Sequence, residues 1–84
     1  MDEIKQQIRQ LLSELLPPEK FSNLRDDTPL RTSGILDSMG LLRLVGLVEE
    51  KFGIEVSAYE AGIENFDRID DIAAFIQKKR AAKV

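Results

Sequence analysis

A serine preceded by an aspartate lies at the start of a long apolar run. In this position its hydroxyl could take part in a chemical reaction. Asp37 and Ser38 follow Gly-Ile-Leu, and the run extends to Phe52. A serine hydroxyl can attack a substrate, accept a covalent group or help to cap a helix. The chain contains no His, and no G-x-S-x-G elbow surrounds Ser38. The sequence therefore does not favour a self-sufficient serine hydrolase, and it predicts no catalytic residues.

Two interpretations of Ser38 remain open from these residues alone. Asp and Ser are both preferred at helix N-caps, and Asp37 could cap the following helix unaided. Alternatively, Ser38 is a modification site, because a phosphate ester there would lie at a helix N-terminus, where backbone N–H groups and the helix dipole favour an anion. Arg43, about one turn further along, could add positive charge, although a solvated arginine is the ordinary case. The dipeptide by itself favours capping.

Length and composition restrict the function further. The 84 residues predict a single domain, 1–84, with little room for an enclosed substrate cavity. The absence of Cys and His excludes disulfides, zinc sites built from these residues and imidazole catalysis. A net charge of −3 argues against a nucleic-acid partner, which usually requires a basic patch. No signal-like or membrane-spanning apolar run is present, so we expect a cytoplasmic protein without membrane insertion.

The spacing of apolar residues predicts four helices and one long loop after the first. The predicted helices are 2–16, 38–52, a short third helix at 58–62, and 68–80. Pro17 and Pro18 end the first helix. Ser57 is a plausible cap for the third helix, and Asp67 with Asp70 resembles a capping arrangement for the fourth. The sum is an all-α four-helix bundle.

The predicted helix 38–52 has one face for the core and one for solvent. The core face contains Leu41, Leu44, Val45, Val48 and Phe52, and of these Leu44, Val48 and Phe52 are expected to be buried. The outer face includes two glycines, Gly40 and Gly46, each costing about 1 kcal/mol relative to Ala in a helix interior. Glycine there would let a partner approach the helix closely, although simple tolerance of a poor helix former remains the alternative.

An ordered set of motifs resembles the acyl and peptidyl carrier proteins, the phosphopantetheine-binding thiolation domains. The stretch is DDTPLRTSGILDSMGLLRLVGLVEEKFGIEV, residues 26–56, and ENFDRIDDIAAFI resembles the last helix of these domains with its lead-in. The resemblance covers about residues 3–80. It implies the acyl-carrier type of bundle, and it favours modification of Ser38 over simple capping.

The resemblance assigns roles residue by residue. Ser38 would carry a 4′-phosphopantetheine arm, derived from coenzyme A, whose thiol holds the cargo as a thioester. Asp37 would flank the site and help to orient the transferase, and Met39, in place of the commoner Leu, would contact the arm and partners. Leu42, Arg43 and Gly46 would lie on the docking surface. The implied partners are a phosphopantetheinyl transferase, an adenylate-forming ligase and downstream tailoring or condensing enzymes, with the carrier a monomer.

One departure from the family pattern bears on the pathway. Carriers of fatty acid synthesis usually present an acidic helix to their partners, whereas this chain has Gly40, Arg43 and Gly46 at the corresponding positions. The resemblance therefore favours a stand-alone aminoacyl or peptidyl carrier of a nonribosomal peptide or related pathway. The alternatives are a fatty-acid or polyketide carrier and a D-alanyl carrier. Outside the class, the alternative is a small helical interaction module in which Ser38 is only a cap.

Overall fold

Helices form the whole regular structure of residues 2–82, the part of the chain that the computed structural model describes. The helices are α1 (Asp2–Leu15), α2 (Pro18–Phe21), α3 (Ser38–Phe52), α4 (Ile63–Phe66) and α5 (Ile69–Ala82). Helix α1 packs against both α3 and α5, α2 packs on α1, and α4 packs on α5. The predicted all-α bundle of acyl-carrier type, with its long first loop, is confirmed. None of the helices in this range has the length and apolar character needed to cross a membrane.

Helix α1 lies at the centre of the packing because its apolar residues form one stripe. Its buried residues are Ile4, Ile8, Leu11 and Leu12. Asp2 and Glu3 occupy the first turn, where negative charge is favourable to the helix dipole. The helix ends at Leu15, and Pro17 follows in an extended conformation with φ −66° and ψ 154°. The predicted end at residue 16 is therefore confirmed to within one residue.

Helix α3 has the predicted bounds and a capping residue at each end. Asp37 precedes it, and Gly53 closes it in the left-handed conformation, with φ 63°. Leu44 and Val48 are fully buried. The prediction that Phe52 is buried is wrong, because this last residue of α3 lies at the rim of the bundle and is only half-buried. Leu41 is half-buried as well.

The predicted third helix at 58–62 is wrong in its position. Ser57 and Glu60 form a capping box: the Glu60 N–H donates to Ser57 Oγ at 3.2 Å, and the Ser57 N–H donates to Glu60 Oε1 at 3.1 Å. This turn does not continue, because Gly62 is extended (φ −83°, ψ 177°), and the short helix α4 begins at Ile63. The first loop also contains a short helix, α2, that was not predicted from the sequence. This helix begins at Pro18.

The long loop after α1 is fixed to the core by apolar side chains at intervals. Leu24, Leu30 and Leu36 are buried in the same cluster as the helices. An ion pair and a backbone hydrogen bond fix its first half: Arg9 Nη2 lies 2.8 Å from Asp26 Oδ1, and the Asp70 N–H donates to the Asp26 carbonyl at 3.0 Å. The residues that lead into α3 are therefore held against α1 and α5.

Candidate functional site

The hydroxyl of Ser38 is exposed at the first residue of α3, and another side chain caps that helix. Asp37 Oδ1 accepts a hydrogen bond from the Gly40 N–H at 2.7 Å. The Ser38 hydroxyl instead accepts one from Arg31 Nη2 at 3.1 Å. Asp37 is therefore the residue that caps α3. The Ser38 hydroxyl is left available for another role.

The contact between Arg31 and Ser38 was not predicted from the sequence. The two residues are seven positions apart, and Arg31 lies in a segment without helical periodicity. The fold brings them together because the chain between them closes on itself: the Leu36 N–H donates to the Leu30 carbonyl at 2.8 Å. A basic residue inside a loop bordering a candidate site was the available signal, but spacing alone does not show which way its side chain points.

Asp67 fixes the backbone that carries Arg31. Its Oδ1 accepts hydrogen bonds from the backbone N–H groups of Arg31 at 2.7 Å and Thr32 at 3.0 Å, and its Oδ2 accepts one from Thr32 Oγ1 at 2.8 Å. The Leu30 N–H donates to the Asp67 backbone carbonyl at 2.6 Å. The prediction that Asp67 and Asp70 form a cap for the last helix is wrong, because the Asp67 carboxylate serves the loop instead.

The environment of Asp67 favours its charged form. Burial of this side chain, which is 8% exposed, raises the pKa of the Asp67 carboxyl, but hydrogen bonds from Thr32 and Arg31 outweigh burial and hold that pKa below its usual value. Because the pKa is lower in the folded state, the ionised carboxylate stabilises the fold at neutral pH. That contribution is present above the unfolded-state pKa of about 3.9 and is lost as the pH falls through the folded-state value.

We expect Asp67→Asn to lower the free energy of unfolding by about 2 kcal/mol at pH 7, because a neutral amide replaces charge-assisted hydrogen bonds. The difference from wild type should shrink as the pH is lowered below about 4, since only the wild-type side chain loses its charge there. Urea unfolding at pH 7 and in acid measures both effects. Asp27→Asn, at an exposed position of the same loop, is the control. A pH-independent difference would contradict this account of Asp67.

Gly40 and Gly46 differ in their surroundings, although both were assigned to the outer face of the helix. A Cβ at Gly40 would lie 3.0 Å from Leu36 Cδ2 and 3.2 Å from Asp37 Oδ1. Gly40 therefore allows the loop, not a partner, to approach the helix, and its assignment to the free outer face is wrong. A Cβ at Gly46 would have nothing within 4 Å, so this position is open to solvent.

One exposed strip of α3 starts beside Ser38. We define the docking strip as Met39, Leu42, Arg43 and Gly46, which follow the offsets of three, four and seven that place residues on one helix face. Met39 is 63% exposed and Leu42 is 61% exposed, so two large apolar side chains face solvent three positions apart on this helix face. All four of these residues, which were selected from the sequence, are exposed on the same face of α3.

An open groove lies next to this strip, between α1, α2 and the start of α3. Its volume is about 340 Å³, and its lining includes Lys20, Asp37, Met39 and Arg43. Leu36 and Ile35 contribute apolar surface from the loop. The groove is open to solvent and is lined by two cationic side chains, Lys20 and Arg43, and by one carboxylate, Asp37.

Comparison with known proteins agrees with this geometry. The family model described as "Phosphopantetheine attachment site" matches residues 6–76. The chain belongs to this family of carrier proteins. Among curated proteins it is similar to a D-alanyl carrier protein of Abiotrophia defectiva, with 32% identity over 81 residues that cover 94% of this chain and 99% of the relative. Carrier proteins of this family are non-catalytic, and their cofactor is covalently attached 4′-phosphopantetheine.

The residues of this carrier protein fit its cofactor. Attachment requires an accessible hydroxyl, and Ser38 presents one at the surface. A phosphodiester is an anion, and the Arg31 guanidinium already donates a hydrogen bond to the hydroxyl oxygen. The site therefore offers an exposed hydroxyl oxygen and a cation beside it.

Proposed function

We propose that Ser38 is the attachment site of the phosphopantetheine arm, and that the protein carries an aminoacyl group as a thioester to partner enzymes. The environment of the Ser38 hydroxyl carries this proposal. The hydroxyl is exposed and accepts a hydrogen bond from the Arg31 guanidinium. It is not needed as a helix cap, because Asp37 caps α3. Once attached, the arm supplies a terminal thiol for the thioester. The chain itself supplies the attachment oxygen and the surface that partners bind.

The other serines support this choice because local backbone engages their hydroxyls. Ser13 Oγ donates to the Gln10 carbonyl at 2.6 Å, Ser22 Oγ donates to the Glu19 carbonyl, and Ser33 Oγ donates to the Pro29 carbonyl. Ser57 Oγ accepts the Glu60 N–H in the capping box. All five serines lie within residues 2–82. Among them, Ser38 is the serine whose hydroxyl is hydrogen-bonded to a charged side chain.

The attachment reaction is a group transfer from coenzyme A by a phosphopantetheinyl transferase. Ser38 Oγ attacks the phosphorus that bears the pantetheine, a phosphorus–oxygen bond of the pyrophosphate breaks, and adenosine bisphosphate leaves. The transferase accepts the hydroxyl proton, so the reaction needs no base from the carrier. A tethered cargo is then presented to each partner at high effective concentration.

We assign the cargo to the aminoacyl class. The docking strip lacks acidic residues, unlike the surface of fatty-acid carriers, and its side chains are two exposed apolar residues, an arginine and a glycine. An adenylate-forming ligase would load the amino acid in the cytoplasm, and the first candidate pathway is nonribosomal peptide synthesis or related metabolism. The second candidate is a D-alanyl carrier, which the similarity to the D-alanyl carrier protein of Abiotrophia defectiva favours.

Loading distinguishes these candidates. The apo-protein is treated with coenzyme A and a broad-specificity transferase, and its intact mass is measured. The holo-protein is then incubated separately with D-alanine, a set of L-amino acids and aryl acids. Each incubation contains an adenylate-forming ligase encoded near the gene of the carrier. Selective thioester formation with D-alanine supports the second candidate, and selective loading of another amino acid supports the first. A chain that gains no arm is an interaction module.

We also propose that partners bind the docking strip largely through apolar contacts. Met39 and Leu42 provide exposed apolar surface next to Ser38, and Gly46 lowers the surface one turn further along. A ligase that seats its own apolar side chains here would position its active site over the arm. Because such contacts are not charge-dominated, loading should depend only weakly on salt.

Gly46→Met tests the docking strip. We expect the free protein to keep its stability or to gain up to about 1 kcal/mol, because Met is a better helix former than Gly and a Cβ at this position has no neighbour within 4 Å. Loading by the ligase should slow through a higher KM with little change in kcat, since the obstruction affects binding rather than chemistry. Ala74→Met, at an exposed position of α5, is the matched control. Unimpaired loading of Gly46→Met, or a steep salt dependence of the wild type, would contradict this assignment.

A further inference from the structure

We infer that Arg31 binds the phosphate that joins the arm to Ser38 and so restrains the first link of the arm against the protein. This inference rests on the proposed attachment at Ser38. It assigns a binding role to a residue outside the docking strip, in the loop that precedes α3.

The first support is the present contact. Arg31 Nη2 lies 3.1 Å from Ser38 Oγ, which becomes the ester oxygen when the arm is attached. The non-bridging phosphate oxygens would lie two bonds from that ester oxygen, through the phosphorus, within reach of the same guanidinium. Arginine suits this position because its planar group has five N–H donors and matches phosphate oxygens in a forked geometry. Esterification thus replaces a neutral acceptor of Arg31 with an anionic one.

The second support is that the guanidinium is not already paired with a carboxylate. Other basic side chains are: Arg9 pairs with Asp26 at 2.8 Å, and Arg68 lies 3.4 Å from Asp71. Within residues 2–82, no ion pair involves Arg31. An added phosphate therefore does not have to displace an existing partner.

The third support is the rigidity of the backbone from which this side chain extends. The Arg31 N–H is held by the buried Asp67 carboxylate at 2.7 Å, and the neighbouring Thr32 donates twice to the same carboxylate. Fixing the backbone reduces the conformational entropy that must be lost when the side chain is ordered on an anion. Asp67 acts here through the backbone and is a positioning residue.

Arg43 is the competing cation, and the geometry places it second. It lies one turn along α3 and lines the groove beside Asp37, but the contact recorded at the Ser38 hydroxyl is with Arg31. Arg43 belongs to the docking strip, where a partner can cover it. The two arginines thus have separate roles, one toward the arm and one toward partners.

Phosphorus NMR of the holo-protein tests the inference directly. We expect the phosphodiester ³¹P resonance of the wild type to shift in Arg31→Gln and to be at least partly restored in Arg31→Lys. Arg25→Gln, an exposed arginine in the same loop, and Arg43→Gln should leave it unchanged. High salt should move the wild-type resonance toward that of Arg31→Gln, because the contact is solvent-accessible and screened. An arginine side-chain N–H resonance that moves on attachment should be absent in Arg31→Gln.

The outcomes separate this inference from the proposed function. Identical ³¹P resonances in wild type and Arg31→Gln, with the arm attached to both, would overturn the role of Arg31 and leave attachment at Ser38 intact. A shift caused by Arg43→Gln alone would assign the role to Arg43 and also overturn it. No gain of mass by the wild type would instead refute the proposed function. Arg31→Gln keeps the backbone N–H that Asp67 accepts, and an unchanged amide spectrum away from the loop verifies its fold.

Discussion

Ser38→Ala should gain no mass when it is treated with coenzyme A and transferase, whereas the wild type should gain one arm. The expected loss is complete, because the substitution removes the oxygen that forms the new bond. Ser33→Ala is the matched control, since Ser33 is exposed in the same loop and its hydroxyl is bonded to the Pro29 carbonyl. Intact-mass spectrometry reads out both variants. Arm addition to Ser38→Ala would disprove the site.

The same variant should remain folded. Asp37 Oδ1 accepts a hydrogen bond from the Gly40 N–H at 2.7 Å and caps α3 without help from Ser38, whose hydroxyl is hydrogen-bonded to the half-buried Arg31 side chain. Helical circular dichroism and the thermal midpoint should therefore match those of the wild type closely. A marked loss of helicity would show that Ser38 has a capping role, as the interaction-module alternative requires.

Phe66→Ala should have the largest effect on stability of the core substitutions considered. The Phe66 ring is fully buried, and its centroid lies 5.4 Å from that of Phe75. Removing a buried aromatic ring costs about 3–5 kcal/mol, which approaches the total of about 5–15 kcal/mol typical of a domain. Urea unfolding of the variant should show a greatly reduced midpoint or no folded baseline.

Phe52→Ala is the control for that experiment and tests the corrected packing of α3. Because Phe52 is only half-buried, we expect a cost of about 1–2 kcal/mol, roughly half the value for a fully buried side chain. The sequence had placed this residue fully in the core, with the larger cost. Equal destabilisation by the two substitutions would mean that Phe52 is covered as completely as Phe66.

The long helices were predictable because periodic burial and local capping agree along them. The buried residues of α1 repeat at helical spacing, and Asp37 and Gly53 mark both ends of α3. The short elements were not predictable in the same way. Ser57 caps its turn as predicted, in a capping box with Glu60, but the backbone of Gly62 ends the turn before a helix can grow. One favourable cap does not determine how far a helix extends.

The candidate site was predictable only in part, for a related reason. Ser38 and the docking strip lie on one helix, so their arrangement follows from sequence spacing. Arg31 and Asp67 act through the folding of a loop onto a distant segment, and no local pattern encodes that contact. Gly40 illustrates the same limit, because its neighbour Leu36 comes from the loop and could not be inferred from the helical wheel.

The hydrogen bonds between the loop and Asp67 have a consequence for when, during synthesis, the loop becomes ordered. The hydrogen bonds from Arg31 and Thr32 to Asp67 join residues separated by 36 and 35 positions. A ribosome-bound chain that has exposed Ser38 but not yet Asp67 lacks these bonds, so the segment carrying Arg31 does not have its native restraint. A transferase that recognises the ordered segment would therefore act on chains from which Asp67 has already emerged.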